Sequence, residues 1–255
     1  QFADIVHGFS TRLGGVSEGI YASMNLSFTR GDKDAAVYEN YRRFAAALGF
    51  SERDIVTSDQ THTANVRIIT EEDRGNGITK PRPYTDVDGM ITNVRGLVLA
   101  TFYADCVPLL FFDPEKRVAA MAHSGWRGTA ARIGAKMIHF MEEEYGSRAE
   151  NIIAAIGPSI CRKCYEVSED VAQAFRKTFL PEQFPEIFDE KGGGKYQLDL
   201  WEANRIILTE AGILPEHLDI TDLCTCCNHD KLFSHRASHG RRGNMGCFMC
   251  LDEEE

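Results

Sequence analysis

Four short apolar segments follow one another through the middle of the chain, at Asp88–Thr92, Leu97–Tyr103, Leu109–Phe112 and Arg117–Ala122. Each is strand-sized and bounded by polar or turn-forming residues, so together they read as successive strands. Helical periodicity brackets them. Val37, Tyr41, Phe44, Ala45 and Leu48 recur at helical spacing and predict a helix over Asp34–Leu48, with Gly49 as its stop. Gly128–Tyr145 predicts a second helix ended by Gly146, and Ser168–Phe179 and Asp199–Ala211 predict two more. Asn65–Thr70, Asn151–Ile156, Lys231–Ser234 and Met245–Cys250 read as further strands. Lys191 to Lys195, with three glycines between them, reads as a surface hairpin; nothing around it has the strand–loop–helix pattern of a phosphate loop. The acidic end from Asp252 to Glu255 reads as a solvated tail. Strands crowded at the centre with helices on both sides predict one α+β domain over residues 1–255, helices packing on a mixed sheet.

Charge and hydropathy exclude several classes of function. The chain carries 28 Lys and Arg against 38 Asp and Glu, a net charge of −10. Phosphate-backbone binding needs a cationic surplus, so no nucleic-acid partner is expected. The longest apolar run, Gly96–Tyr103, is far short of the roughly 18 residues of a membrane span, so no membrane association is expected either. No charged start is followed by an apolar stretch, which predicts no secretory leader and a cytoplasmic protein. In that compartment its eight cysteines are expected to be mostly free thiols.

What interrupts the central strands carries the chemistry. Gln60-Thr61-His62-Thr63, Tyr103-Ala104-Asp105-Cys106-Val107-Pro108 and Ala122-His123-Ser124-Gly125-Trp126 each put a metal-ligand type in a loop at a strand end. Loops held by a rigid sheet are where functional residues concentrate. His62, Cys106 and His123 are too widely spaced for a zinc finger but suit a catalytic site assembled from separate loops, with a fourth position open. Zinc there would polarise a phosphate, a carbonyl or a water. Copper also accepts such a set, with a weak axial Met; the nearest, Met121, is expected to face away from His123. A metal-free alternative makes Cys106 a nucleophile and His123 its base.

Cys161-x-x-Cys164 and the run Cys224-Thr225-Cys226-Cys227 read as packing thiols ahead of a structural zinc site, because the second run is irregular. Cys247 and Cys250 lie in a strand whose alternation puts them on opposite faces. Arg12, in the glycine-rich loop Ser10–Ser17, and Arg127, opening a helix after His123, are cations suited to an anionic substrate; Arg236 to Arg242 add more near the C-terminus.

Several ordered motifs are recognisable: His7-Gly-Phe-Ser-Thr-Arg-Leu-Gly-Gly-Val-Ser17, Asp59-Gln-Thr-His62, Ala104-Asp-Cys-Val-Pro108, Ala122-His-Ser-Gly-Trp-Arg-Gly128, Ile156-Gly-Pro-Ser-Ile160, Cys164-Tyr-Glu-Val167 and Phe233-Ser-His-Arg236. Across essentially the whole chain this resembles the laccase-domain purine nucleoside phosphorylases, the YfiH/YlmD-like proteins formerly described as polyphenol oxidases. The family's late Ser-Tyr-Arg-Arg stands here as Ser234-His235-Arg236-Ala237, and residues 240–246 match poorly. The resemblance implies a single-domain, four-layer α/β/β/α sandwich with mixed sheets. It implies a catalytic zinc on His62, Cys106 and His123, with copper as the alternative. It implies purine nucleosides and phosphate as partners: phosphorolysis of adenosine, inosine and methylthioadenosine to the free base and ribose 1-phosphate or its methylthio analogue, together with adenosine deamination. The related fold of a toxin deamidase with a Cys-His pair keeps the thiol-hydrolase alternative in view, and a non-enzymatic metal-binding role is a further one. Arg12 and then Arg127 are the expected phosphate ligands. Asp105 is expected to orient a metal ligand or protonate the base, and Phe9, Phe28 or Tyr103 to stack on it. The chain has eight histidines without a single His-x-His, which argues against the three-copper cluster of a multicopper laccase, and it lacks the H-x-E and P-C-x-x-C signature of the zinc deaminases.

Overall fold

A computed structural model describes residues 4–252 of the chain; beyond Asp252, the acidic tail lies outside the described residues. In chain order the strands are β1 (Ile5–Phe9), β2 (Ile55–Thr57), β3 (Val66–Ile68), β4 (Gly89–Thr92), β5 (Val98–Tyr103), β6 (Val107–Asp113), β7 (Val118–Ser124), β8 (Ile153–Ile156), β9 (Glu166–Ser168), β10 (Phe188–Gly192), β11 (Lys195–Leu198), β12 (Leu218–Ile220) and β13 (Met245–Leu251). The helices are α1 (Asp34–Leu48), α2 (Trp126–Ala130), α3 (Ile133–Tyr145), α4 (Glu169–Arg176), α5 (Phe184–Ile187) and α6 (Leu200–Glu210).

Two mixed sheets stack face to face. One has the order β1-β13-β5-β2, the other β12-β8-β6-β7-β4-β3. Period-two alternation decides what fills each layer. Leu99 and Tyr103 of β5, Cys247 and Met249 of β13, and Ala119 and Met121 of β7 point between the sheets. Val98 and Ala100 of β5, with Phe248 and Cys250 of β13, point outward and pack under Val37, Tyr41 and Ala45 of α1. Val118, Ala120 and Ala122 of β7 face Ile133, Met137, Ile138 and Met141 of α3 and Ile207 of α6. The result is the expected α/β/β/α sandwich. Burial stabilises each of these large side chains by about 1.5–3 kcal/mol. Even the Tyr41 hydroxyl is satisfied, donating to Leu26 O at 2.6 Å.

Three expectations are corrected. The helix foreseen over Gly128–Tyr145 is two helices, α2 and α3, broken at Arg132, whose φ is 57°. Asn204 of α6 reaches Thr129 and, through it and directly, Ser124, which fixes α2 at the sheet end while α3 runs along the sheet. Lys231–Ser234 is a turn, not a strand; Leu232 and Phe233 are buried in a small satellite core with no sheet partner. Met121 shares a face with His123, because residues two apart on a strand must; it packs into the inter-sheet core. The hairpin at Lys191–Lys195 forms, as β10 and β11, and pairs with β9 in a third, antiparallel sheet.

Candidate metal centre and anion pocket

His123 is the penultimate residue of β7 and faces between the sheets. Its cross-strand partner on β6 is Pro108, and Cys106, two residues before Pro108, continues the same face. The β6–β7 register therefore puts the thiol beside the imidazole. His62 comes from the loop between β2 and β3. The ligand atoms of His62, Cys106 and His123 all lie within 4.8 Å of one another. The two imidazoles meet nearly edge-on, with centroids 4.8 Å apart. His62 is exposed, Cys106 half-buried and His123 buried, so the cluster opens to solvent on one side.

What delivers His62 to the other two is Asp88, a residue that sequence reading placed merely at the start of a strand. Its wholly buried carboxylate accepts the Thr61, His62 and Thr63 amides at 3.0, 3.2 and 3.0 Å. It also lies 2.7 Å from Nδ1 of His123. The loop must bend sharply to offer three successive N–H groups, and His62 accordingly has a φ of 67°. Such a left-handed non-glycine conformation costs about 1–3 kcal/mol and persists only where surroundings hold it. Burial works against ionisation of Asp88, but His123 and the loop amides hold its carboxyl below the usual range. With Nδ1 committed to Asp88, Nε2 of His123 is left to face Cys106. A carboxylate behind a ligand imidazole is the usual arrangement of metal-bound histidine.

Two further observations fit a metal. A Cβ built on Gly125 would sit 3.1 Å from both Cys106 Sγ and His62 Cδ2, so this glycine keeps open the space into which the three ligands point. Burial pushes the Cys106 thiol up, but His123 and His62 outweigh it and bring it down to about 6. Burial likewise opposes the charge on His123, yet Cys106 and Asp88 raise it to about 9. A thiolate is thus ready at neutral pH, as a metal ligand must be. Two nitrogens and one thiolate suit zinc or copper.

Asp88→Asn is expected to weaken metal binding by about 10–100-fold, because the amide cannot hold His123 and the three loop N–H groups as the carboxylate does. Chelator competition measures this; an unchanged metal Kd together with an unchanged melting temperature would contradict the role given to Asp88.

The cluster forms one wall of a cavity of about 500 Å³. Phe28, Arg30, Gln60, Arg82, Arg242 and Asn244 also line it. Arg82 is paired with Asp59. Arg30 and Arg242 have no carboxylate partner among the described residues, and Nε of Arg242 is buried without a hydrogen-bond acceptor. Burial, and after it the neighbouring charge of Arg30, lowers Arg242 to about 10. Two neighbouring cations without a counter-charge are suited to an anion.

The structure does not bring Arg12 or Arg127 to this pocket. The Arg12 guanidinium donates to Ala22 O and His229 O, at 3.0 and 2.9 Å, and lies over Phe233. Arg127 stacks on Trp126, 4.3 Å from its ring centroid. Asp105, at φ 92°, spends both oxygens on fixing loops, accepting the Thr225 hydroxyl and the Arg236 amide, each at 2.7 Å. Of the three aromatic residues considered, only Phe28 lines the cavity. Phe9 lies elsewhere, and Tyr103 is buried with its hydroxyl donating to Ala122 O. Sequence reading counted Arg242 only among the late cations, because its segment matches the family's pattern poorly, and did not single out Arg30. The clue available for Arg242 was its charge alone.

Over residues 6–252 the chain matches the family described as multi-copper polyphenol oxidoreductase laccase. It is 37% identical over 251 residues to purine nucleoside phosphorylase YlmD of Bacillus subtilis (strain 168), an overlap of 98% of this chain and 90% of that one. It is 34% identical over 241 residues to adenosine deaminase RL5 from an unknown prokaryotic organism, covering 92% and 91% of the two chains. The crystal structure of YfiH from Bacillus licheniformis superposes with a TM-score of 0.94 at 35% identity, covering 97% of this chain and 93% of the other.

Proposed function

Since the chain belongs to the multi-copper polyphenol oxidoreductase laccase family, and its relatives include purine nucleoside phosphorylases, we propose that it is a zinc-dependent purine nucleoside phosphorylase acting on adenosine, inosine and methylthioadenosine. One observation carries the reading: the His62–Cys106–His123 cluster and the unpaired Arg30 and Arg242 open into the same cavity. Its volume is in the range of small-molecule sites. Among the described residues only one group of potential metal ligands contains histidine, which favours a single catalytic metal, with zinc ahead of copper, over a multicopper oxidase. Eight free cysteines favour a reducing compartment such as the cytoplasm, and no described helix is long and apolar enough to cross a membrane.

In this mechanism His62, Cys106 and His123 hold the metal, which supplies Lewis-acid polarisation at the pocket wall. Arg242 and Arg30 bind phosphate and set one of its oxygens towards C1′ of the ribose. The C1′–N9 bond breaks as the C1′–O bond forms, through an oxocarbenium-like state whose positive charge the held phosphate stabilises, and the departing purine takes up the proton that the monohydrogen phosphate gives up. Phe28 offers an apolar face for the purine. Asp105 acts through position, holding the loop that carries Cys106 against Thr225 and Arg236.

Chromatography of nucleosides incubated with the protein tests this. Inosine is expected to yield hypoxanthine and ribose 1-phosphate only when phosphate is present. Adenosine turning into inosine without phosphate would report deamination, the activity named for the RL5 relative. No cleavage by folded, zinc-loaded protein would overturn the phosphorylase reading.

A further inference from the structure

The second pair of cysteine runs comes together on the far side of Asp105. Cys161 caps and Cys164 ends a single helical turn, Arg162–Cys164, after β8. Cys224 and Cys227 bracket a turn after β12, tied to the first run by the parallel bridge of Ser159 with Cys224. Cys224-x-x-Cys227 is itself a second C-x-x-C pair, hidden in the sequence by the adjacent Cys226. The four Sγ atoms all lie within 4.8 Å of one another. Cys227 Sγ is 3.5 Å from Cys164 Sγ and 4.0 Å from Cys161 Sγ. A tetrahedral zinc with Zn–S bonds of about 2.3 Å needs sulfurs about 3.8 Å apart. The backbone is arranged for thiolate too: the Cys161 and Cys227 amides both donate to Cys224 Sγ, at 3.3 Å. Cys224 is buried and Cys227 exposed, which leaves a route for an ion.

We infer that Cys161, Cys164, Cys224 and Cys227 form a structural site for a thiophilic divalent cation, Zn2+ foremost, distinct from the His62–Cys106–His123 cluster. Four thiolates in two C-x-x-C turns close the shell, so this ion has no open position and does no catalysis. Its work is to join two loops whose cysteines, Cys164 and Cys227, stand 63 residues apart. Cross-links over long separations restrict the unfolded chain most. The joined loops are the ones that hold Asp105. Thr225, between Cys224 and Cys226, gives its hydroxyl to one oxygen of Asp105; Arg236 gives its amide to the other and its guanidinium to Cys164 O at 3.2 Å. The ion thereby fixes the frame behind Cys106 without touching the pocket. Binding of each metal displaces thiol protons and needs no oxidant.

The site is tested by metal counting on the full chain, reduced, reconstituted with Zn2+ and freed of loosely held ion. Wild type is expected to hold two equivalents. Cys106→Ser, which disables the pocket cluster, is expected to keep one, with four thiols that react with a thiol reagent only after a chelator is added. With Co2+ in place of zinc, the thiolate-to-metal absorption is expected to persist in Cys106→Ser. Cys164→Ser is expected to lose one equivalent, keep that of the pocket, and melt at least about 5 °C lower. If Cys164→Ser does not fold, the count in Cys106→Ser alone decides. Zero equivalents in reduced Cys106→Ser, or a non-reducing peptide map showing these four cysteines as disulfides in freshly prepared protein, would overturn the inference. Neither result depends on the phosphorylase reading, whose failure would show in the nucleoside assay with both metals still bound.

Discussion

Cys106→Ala is expected to remove the pocket metal and to lower nucleoside cleavage by at least about 10³-fold, since Lewis-acid stabilisation is worth several kcal/mol and each 1.36 kcal/mol is a factor of ten. The fold should survive. Cys106 lies at the head of β6 with one side facing the cavity, and its loop is held by the contacts of Asp105 rather than by the thiol. The same substitution separates the two chemistries that this cluster allows. Its low thiol pKa and raised imidazole pKa describe a nucleophile and base as well as they describe two metal ligands. If the thiol itself attacks substrate, wild type stripped of metal stays active while Cys106→Ser is dead. If the metal is needed, stripping wild type and replacing Cys106 have the same effect, and added Zn2+ restores only the former. Full activity in a metal-free Cys106→Ala protein would sink the metal reading.

Arg242→Gln is expected to lower kcat/KM for phosphate by about 10²-fold or more, as loss of a desolvated charge-assisted contact costs 2–5 kcal/mol. The effect should fall on phosphate dependence, leaving nucleoside binding much less changed. The guanidinium is still protonated at neutral pH even when lowered to about 10, and its buried Nε has no acceptor until an anion is bound. Arg12→Gln is the contrast. Its guanidinium already serves Ala22 O and His229 O, so its loss should lower the melting temperature and leave the phosphate KM nearly unchanged. Were Arg12→Gln to raise the phosphate KM while Arg242→Gln did not, the anion site would have to be moved from the cavity to the loop.

These assignments separate what one-dimensional pattern reveals from what it conceals. The central strands, α1 with its glycine stop at φ 86°, and the hairpin around Gly192 to Gly194 are written in local periodicity and turn chemistry, which act over a few residues. The helix break at Arg132 is not, because no proline or cap marks it; it follows from how Thr129 and Asn204 dock α2. His62, Cys106 and His123 were legible because ligand-type residues at the ends of central strands stand out, although His123 lies within β7 rather than in the loop expected for it; the register of β6 and β7 then makes two of them neighbours. Asp88 was not, since an acidic residue at a strand start is ordinary until one sees that it receives three loop amides and an imidazole.

By itself, then, the sequence determined the class of fold, its central strands and the helix α1, and singled out the three residues that face one another at the sheet ends. Only the tertiary structure decided which cations line the pocket and which thiols lie together. Arg12 and Arg242 are alike as letters; one has its guanidinium satisfied by carbonyls, the other has no carboxylate partner and a buried Nε without an acceptor. The four clustered cysteines lie in two runs more than sixty positions apart. Charge and hydrogen-bond capacity are properties of a residue, but whether they are already spent depends on neighbours distant in the chain, and that is fixed only when the sheets have packed.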